Sequence, residues 1–375
     1  MKYSIRLNET RWRVRLLMQQ TMNRNNYMIA ATPAQRSGEY YRLWHVPVIA
    51  MFLSVIAYTQ EITHYVAPKR TDDRLEPGQA QHFIAVHRDV EKKGILFLFL
   101  PGTGNTPGAY SGIARLAAIN GFHAINLSYP NMVSVNFTCT DQENLTCHQN
   151  MRTEIIWGVN TSDTIDVDSV NCIAHRLVAL LEYLQDYFPH DGWELYLDKK
   201  HRPVWNRIIV AGHSQGGGYA AFIGKKRATA GVIMFSSVDY CNTYNRPAPW
   251  LGIKGATPSS RYSAFGHKRD QAFPLWIQMK AWNALRLTVT SPIVDVDTIN
   301  YPFKNAQALV SDVAPAQVKK SETPFHNAVV VDYDTPKNKD GTLMLKDVWR
   351  YLLLRLKKYP RSAGIIPKVK TGSRN

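Results

Sequence analysis

From about residue 80 onward, short apolar runs alternate with segments of helical periodicity. The apolar runs have the length of buried strands, whereas the segments between them repeat apolar residues every three or four positions, as one face of a helix does. Strands are predicted over 82–88, 94–100, 123–129, 207–211, 230–236, 261–266 and 306–310, and helices over 109–120, 170–188, 215–225 and 348–356. This alternation predicts an α/β protein with a mostly parallel, doubly wound sheet flanked by helices. Ligands of such sheets bind beyond the carboxyl ends of the strands, so residues that directly follow strands are the candidates for function.

An uncharged apolar stretch, Leu43–Tyr58, lies ahead of this pattern. It is somewhat short against the ~20 residues of a spanning helix, and three interpretations stay open: a retained signal anchor, a cleaved signal peptide and a core helix. A basic flank before the stretch, Glu61 after it and the lack of a small-x-small cleavage site favour the retained anchor. We therefore expect a single-pass membrane protein with its body in the lumen or outside the cell, or a secreted protein.

The sequons and cysteines also indicate the compartment in which the protein is found. Asn-x-Ser/Thr sequons occur at Asn126, Asn136, Asn144 and Asn160. The first of them falls in a predicted buried strand, where a glycan does not fit, but the cluster that follows favours exposure to a secretory compartment. Cys139 and Cys147 are spaced for a short disulfide loop, while Cys172 and Cys241 either pair or stay free, because four cysteines allow three connectivities.

The charge is concentrated at the two ends of the chain. The formal net charge is +16 over 375 residues, and most of it comes from 1–42 and from the tail after Leu354. The part between them is close to balanced and shows neither a zinc-finger spacing nor an aromatic RNA-binding motif, so we expect no nucleic-acid partner. The expected organisation is a basic extension 1–42, an anchor or signal segment 43–60, an α/β domain 80–358 with a polar insertion 130–170, and a basic tail 359–375.

One motif has the residue types and spacing that nucleophilic catalysis requires. Arg207–Gly217 reads R-I-I-V-A-G-H-S-Q-G-G and joins a predicted strand to a predicted helix. Such a turn exposes the hydroxyl of Ser214, and glycines at Gly212 and Gly216 remove side chains that would clash with the strand and the helix. A phosphate-binding helix start is the alternative, but no P-loop lysine follows.

With this motif the sequence resembles the α/β-hydrolase superfamily over about 80–358. Gly212–Gly217 resembles its nucleophile elbow, and Leu98–Asn105 (LFLPGTGN) resembles its oxyanion loop, in a form found in little-characterised members with a Pro-Gly-Thr-Gly turn. The resemblance implies a serine hydrolase, esterase- or lipase-like, that forms an acyl-enzyme with an ester, thioester or amide. Its substrate would be a small-molecule or lipid-like acyl compound, with the membrane as a partner only through the N-terminal segment.

The resemblance also orders the other catalytic residues as nucleophile, acid, base. Only His267 and His326 follow Ser214, and His326 lies in a loop after the last predicted inner strand, where the superfamily keeps its base. Asp270 is our first choice for the acid and Asp239 the second. Asp295, Asp297 and Asp312 rank below them, His267 is expected to be structural, and His213 is expected to be a packing residue.

The expected oxyanion donors are the backbone N–H groups of Gln215 and Thr103. The insertion 130–170 and the segment 240–260 are expected to shape the substrate pocket, with Pro249 and Trp250 as possible lining residues. Histidines before the elbow show no metal-ligand spacing, so neither a metal nor a cofactor is expected. The alternative function is a catalytically inactive hydrolase fold used for adhesion or partner binding.

Overall fold

The structure, a computed structural model, describes residues 60–356 apart from 79, 290 and 318–320. The predicted basic extension, the anchor segment up to residue 59 and the basic tail lie outside these residues. Within the part of the chain that is described, no helix has the length and apolar character needed to cross a membrane.

The strands are β1 (Glu61–Val66), β2 (His82–His87), β3 (Leu96–Leu100), β4 (His123–Asn126), β5 (Ile208–His213), β6 (Gly231–Phe235), β7 (Tyr240–Cys241), β8 (Arg246–Pro247), β9 (Tyr262–His267), β10 (Val294–Asp295) and β11 (Ala308–Ser311). The α-helices are α1 (Ser111–Ile119), α2 (Val135–Cys139), α3 (Cys147–Trp157), α4 (Ile173–Tyr187), α5 (Gln215–Lys226), α6 (Leu275–Ala284), α7 (Pro324–Asn327) and α8 (Lys346–Leu354). Every predicted strand and helix is therefore present.

The described strands other than β7 and β8 form one sheet in the order β1-β2-β4-β3-β5-β6-β9-β11-β10. β1 and β2 run antiparallel to their neighbours, and the remaining pairs are parallel. β7 and β8 form a small antiparallel pair of their own. The prediction of a mostly parallel sheet flanked by helices is confirmed.

Each face of the sheet packs against its own layer of helices. Along β3, Leu96, Leu98 and Leu100 belong to one buried apolar cluster, whereas Phe97 and Phe99 belong to the other, because successive side chains of a strand point to opposite faces. Residues of α3, α4, α5 and α6 complete the first cluster, and residues of α1 and α8 complete the second. The inner strands β3, β5, β6, β9 and β11 are buried on both sides, which explains their apolar runs.

The segment 130–170 is more ordered and more deeply packed than a polar insertion suggests. It contains α2 and α3, and α3 buries Met151 and Ile155 in the core. A disulfide bond between Cys139 and Cys147 joins the end of α2 to the start of α3, as the spacing predicted. Cys172 and Cys241 are both free and buried.

Candidate active site

Ser214 occupies a sharp turn between β5 and α5. Its φ of 53° and ψ of −121° lie in a region that residues with a side chain rarely adopt, at a cost of about 1–3 kcal/mol. The flanking glycines explain how the chain makes this turn. A Cβ on Gly212 would lie 2.3 Å from the carbonyl carbon of Gly216, and a Cβ on Gly216 would lie 2.0 Å from the carbonyl oxygen of Leu100. The turn thus requires glycine at both positions, and α5 starts directly after the serine.

His326 and Asp270 are paired in the interior. Nδ1 of His326 lies 2.9 Å from both carboxylate oxygens of Asp270, and both residues are almost fully buried. Asp270 follows β9, and His326 lies in α7, which follows β11. Since a carboxylate only accepts, Nδ1 carries the ring proton and Nε2 of a neutral ring is left free to accept one.

The acidic partner is held as a carboxylate. Asp270 also accepts hydrogen bonds from the backbone N–H of Phe273 at 2.8 Å and from Nε2 of Gln278 at 3.0 Å. Burial by itself would raise the pKa of Asp270, but the adjacent His326 and the hydrogen bond from the N–H of Phe273 hold that pKa below its usual value. A carboxylate in this position fixes the tautomer of the imidazole and stabilises its protonated form.

Ser214 and His326 line one cavity of about 640 Å³, together with Gly102 and Thr103 of the turn after β3. The residues around α2 supply part of its wall, and the segment after β9 supplies another part. Apolar side chains on the wall are Phe137, Tyr240, Phe273 and Ile277. The carboxyl ends of β3, β5 and β9 thus contribute to a common crevice, as expected for a parallel sheet.

Gln215 connects three parts of this crevice. Its Oε1 accepts a hydrogen bond from Oγ1 of Thr103 at 3.1 Å and another from the N–H of Val135 at 2.9 Å. Its backbone carbonyl accepts one from Nη1 of Arg152 at 3.2 Å. The elbow is therefore tied to the turn after β3, to α2 and to α3. The N-terminus of α5 adds a partial positive charge that favours an anion in the crevice.

Asp239, the second candidate for the acid, is held elsewhere. It is fully buried in an ion pair with Arg152 and accepts a hydrogen bond from Nε1 of Trp250 at 2.9 Å. Burial would raise the pKa of Asp239, but Arg152 holds it below its usual value. The structure therefore brings His326 together with Asp270 and not with Asp239. Trp250 packs against Phe222 and is not among the residues of the cavity wall.

The remaining candidates also have partners away from the cavity. Asp295 pairs with Lys268 and Asp312 with Arg269. Asp297 accepts a hydrogen bond from Oγ of Ser311 at 2.8 Å. Nε2 of His267 lies 3.0 Å from the carbonyl of Val313. Within the described ranges, no group of His, Cys, Asp or Glu is arranged to hold a metal ion.

Two features of the site were not expected from the sequence. His213 lines the cavity and hydrogen-bonds to the backbone of His326, so it does more than pack. Gln271 accepts hydrogen bonds from the N–H groups of Phe325 at 3.0 Å and of His326 at 3.2 Å. These contacts join residues far apart along the chain, so local sequence patterns do not predict them.

The strand order and the turn at Ser214 are consistent with an α/β-hydrolase fold. No family model matches the sequence, and no curated protein matches it either. Among solved structures, the chain is similar to a putative dienelactone hydrolase from Klebsiella pneumoniae subsp. pneumoniae MGH 78578. That match covers 80% of this chain and 100% of the other, with 12% sequence identity and a TM-score of 0.40. A likeness of this size says nothing about activity.

Proposed function

We propose that the protein is a serine hydrolase that cleaves an ester, thioester or amide through an acyl-enzyme on Ser214. The observation that carries the proposal is the pairing of His326 with Asp270 at the edge of a cavity that Ser214 also lines. A serine hydroxyl is a poor nucleophile until a base removes its proton, and an oriented neutral imidazole is such a base. The positive φ at Ser214 supports the same function, since strain of this kind persists where it positions a reactive group.

In the proposed reaction, Oγ of Ser214 attacks the substrate's carbonyl carbon while Nε2 of His326 takes the hydroxyl proton. The electron pair of the carbonyl moves to its oxygen, which the N–H groups of Gln215 and Thr103 stabilise. As the tetrahedral intermediate collapses, the bond to the leaving group breaks and the imidazolium gives that group its proton. Water then attacks the acyl-enzyme by the same steps. Asp270 stays ionised throughout and orients the ring.

The cavity supports a small-molecule or lipid-like acyl compound as the substrate. Its volume of about 640 Å³ lies in the range of sites that bury a drug-sized ligand. Phe137 is 95% exposed although it lines the cavity, and neighbouring Met132 and Val133 are exposed too. An apolar group of the substrate would cover part of this surface.

We also propose that the domain works in a secretory compartment, as a membrane-anchored or secreted protein. The disulfide bond between Cys139 and Cys147 supports this, because such bonds persist in oxidising surroundings. Of the four sequons, Asn144 and Asn160 are exposed, whereas Asn126 and Asn136 are buried. Secretory expression should therefore give a glycosidase-sensitive mass that is lost in the double variant Asn144→Gln/Asn160→Gln. An unchanged mass would contradict the proposal.

The activity is tested with a fluorophosphonate probe and a panel of short-chain esters, long-chain esters, lactones and amides. The wild-type protein should be labelled on Ser214 and should hydrolyse at least one class of compound. Ser214→Ala should lose labelling, and kcat should fall by about 10⁴–10⁶. A folded wild-type protein that is neither labelled nor active would overturn the proposal and favour an inactive hydrolase fold used for binding.

A further inference from the structure

His213, the residue before the proposed nucleophile, is buried and uses both ring nitrogens. Its Nδ1 lies 3.0 Å from the hydroxyl of Tyr110, and its Nε2 lies 3.1 Å from the backbone carbonyl of His326. The hydroxyl of Tyr110 also accepts a hydrogen bond from the N–H of Gly102 at 3.0 Å. A continuous chain of three hydrogen bonds thus runs from the turn after β3, through the end of β5, to α7.

The direction of each hydrogen bond follows from the chemistry of its groups. A carbonyl only accepts, so Nε2 of His213 carries a proton. Burial, with nearby His326, lowers the pKa of His213 to about 3, so the ring is neutral and Nδ1 has no proton. Nδ1 therefore accepts from the Tyr110 hydroxyl, whose oxygen in turn accepts from Gly102. Each of the three hydrogen bonds therefore has one possible donor and one possible acceptor, so only one arrangement of the protons satisfies all of them.

We propose that Tyr110 and His213 are positioning residues that hold the proposed oxyanion turn and the proposed base in register. This inference rests on the proposed function. Gly102 neighbours Thr103, the proposed oxyanion donor, and the His326 carbonyl belongs to the proposed base itself. The His213 ring also packs against the His326 ring, with centroids 4.7 Å apart. We assign no proton transfer to Tyr110 or His213, because the hydroxyl proton of Tyr110 and the Nε2 proton of His213 are already donated within this chain of hydrogen bonds.

The fold contains a second arrangement of the same kind, which serves as a matched control. The Tyr196 hydroxyl lies 2.6 Å from Nδ1 of His123, and Nε2 of His123 lies 2.6 Å from the carbonyl of Asp191. Tyr196 and His123 are fully buried, as Tyr110 and His213 are. His123 starts β4, however, so it lies at the edge of the sheet opposite to the carboxyl ends where the cavity opens. Removing the Tyr196 hydroxyl breaks one hydrogen bond, where Tyr110→Phe breaks two, and should lower the stability without disturbing the cavity.

The experiment compares Tyr110→Phe with Tyr196→Phe. Tyr110→Phe removes the acceptor for Gly102 and the donor for His213, and small misplacements of reacting groups cost up to about 10²-fold in rate. We expect kcat and the fluorophosphonate labelling rate of Tyr110→Phe to fall by about 10- to 100-fold, with KM within about threefold of the wild type. Tyr196→Phe should lower the melting temperature and keep wild-type kcat.

Two substitutions of His213 each break one of its two hydrogen bonds, and if Tyr110→Phe does not fold, each of them should still lower kcat and the labelling rate while Tyr196→Phe does not. His213→Gln keeps a donor near the position of Nε2, and His213→Asn keeps an acceptor near the position of Nδ1. If the three hydrogen bonds act as a unit, the double variant Tyr110→Phe/His213→Gln should lose much less activity than the product of the two single losses.

The outcomes distinguish this inference from the proposed function. A labelled wild type with slowed Tyr110→Phe and unaffected Tyr196→Phe supports the inference. A labelled wild type with unchanged Tyr110→Phe, or equal losses in Tyr110→Phe and Tyr196→Phe, overturns the inference and leaves the proposed function standing. A folded wild type without labelling overturns the proposed function itself.

Discussion

Asp239 and Arg152 form an ion pair in which neither side chain is exposed to solvent. Nε of Arg152 donates to the carboxylate at 2.6 Å, and the same guanidinium lies over the ring of Tyr219. A second buried carboxylate, Asp270, is paired with His326. The two carboxylates follow neighbouring strands, β6 and β9, but they have different partners, and substitutions at them should therefore have different effects.

We expect Asp239→Asn to destabilise the fold by about 3–5 kcal/mol, because it leaves Arg152 as a buried charge without a counterion. Asp270→Asn should instead lower kcat by about 10⁴, because the imidazole loses the partner that fixes its tautomer. Urea unfolding and kcat of the folded fraction measure the two effects. If Asp239→Asn were fully stable and inactive while Asp270→Asn kept its activity, the assignment of the acid would be reversed.

The elbow should tolerate no side chain at Gly216. Gly216→Ala places a Cβ 2.0 Å from the carbonyl oxygen of Leu100, and backbone cannot yield as a flexible side chain can. We expect a loss of at least the ~1–3 kcal/mol typical of overpacking. Gly252→Ala is the control, because nothing lies within 4 Å of the added Cβ, and its stability should stay within about 0.5 kcal/mol of the wild type. Thermal or urea unfolding compares them, and a stable Gly216→Ala would contradict the geometry of the turn.

Substitutions of Thr103 distinguish the contribution of its backbone N–H from that of its side-chain hydroxyl. Thr103→Pro removes the N–H that we assign to the oxyanion, so kcat should fall by about 10²–10³. Thr103→Ser keeps both groups, including the hydroxyl that donates to Gln215, and should stay near wild-type activity. Thr103→Val keeps the N–H alone and should lie between them. Steady-state kinetics on one ester decides the order, and equal activity in Thr103→Pro and Thr103→Ser would exclude this N–H as a donor.

The protein should lose stability on mild acidification. Burial lowers the pKa of His82 and His213 to about 3 and that of His123 to about 4. At pH 5 these rings are neutral in the folded state and charged in the unfolded state, so the unfolded state binds more protons. The stabilisation from the neutral rings is complete above the unfolded pKa of 6.5 and declines below it, by at most about 2 kcal/mol per ring at pH 5.

The measurement is the free energy of unfolding in urea at pH 7.5 and at pH 5. His82→Asn tests the cause, because an Asn side chain can still accept the hydrogen bond from the Ser128 N–H but does not titrate. Its loss between the two pH values should be smaller than that of the wild type. An identical loss in both proteins would show that His82 has no part in the effect.

The parts of the fold that the sequence predicts are those where burial leaves a local signature. Strands buried on both faces read as apolar runs, and β3 and β5 were located within two residues. The sequence predicts no strand at the position of the edge strand β1 (EITHYV), because its mixed polarity matches neither pattern. The segment 130–170, which contains α3, is predicted to be a polar insertion, and Arg152 and Glu154 are among its charged residues. Both are buried, and Arg152 finds its partner 87 positions away, where one-dimensional pattern analysis does not reach.

In the candidate site, too, the sequence predicts the residues that belong to a local pattern and not those that depend on contacts distant in sequence. Ser214 follows from a local motif, because the strand, the turn and the helix are adjacent in sequence. The choice between Asp239 and Asp270 depends on which loop meets His326 in space, 56 positions from Asp270 along the chain. No sequence pattern singles out Tyr110 as a functional residue. Its hydroxyl gains its role only from His213, which lies at the end of a different strand.

The order of the strands along the chain also sets when the site comes into being. Ser214, Asp270 and His326 follow β5, β9 and β11 in turn, and β11 pairs with β9 in the sheet. During synthesis, Ser214 is therefore made before His326, the residue that we propose as its base. Under the proposed mechanism, the nascent chain gains reactivity at Ser214 only once residue 326 has been made.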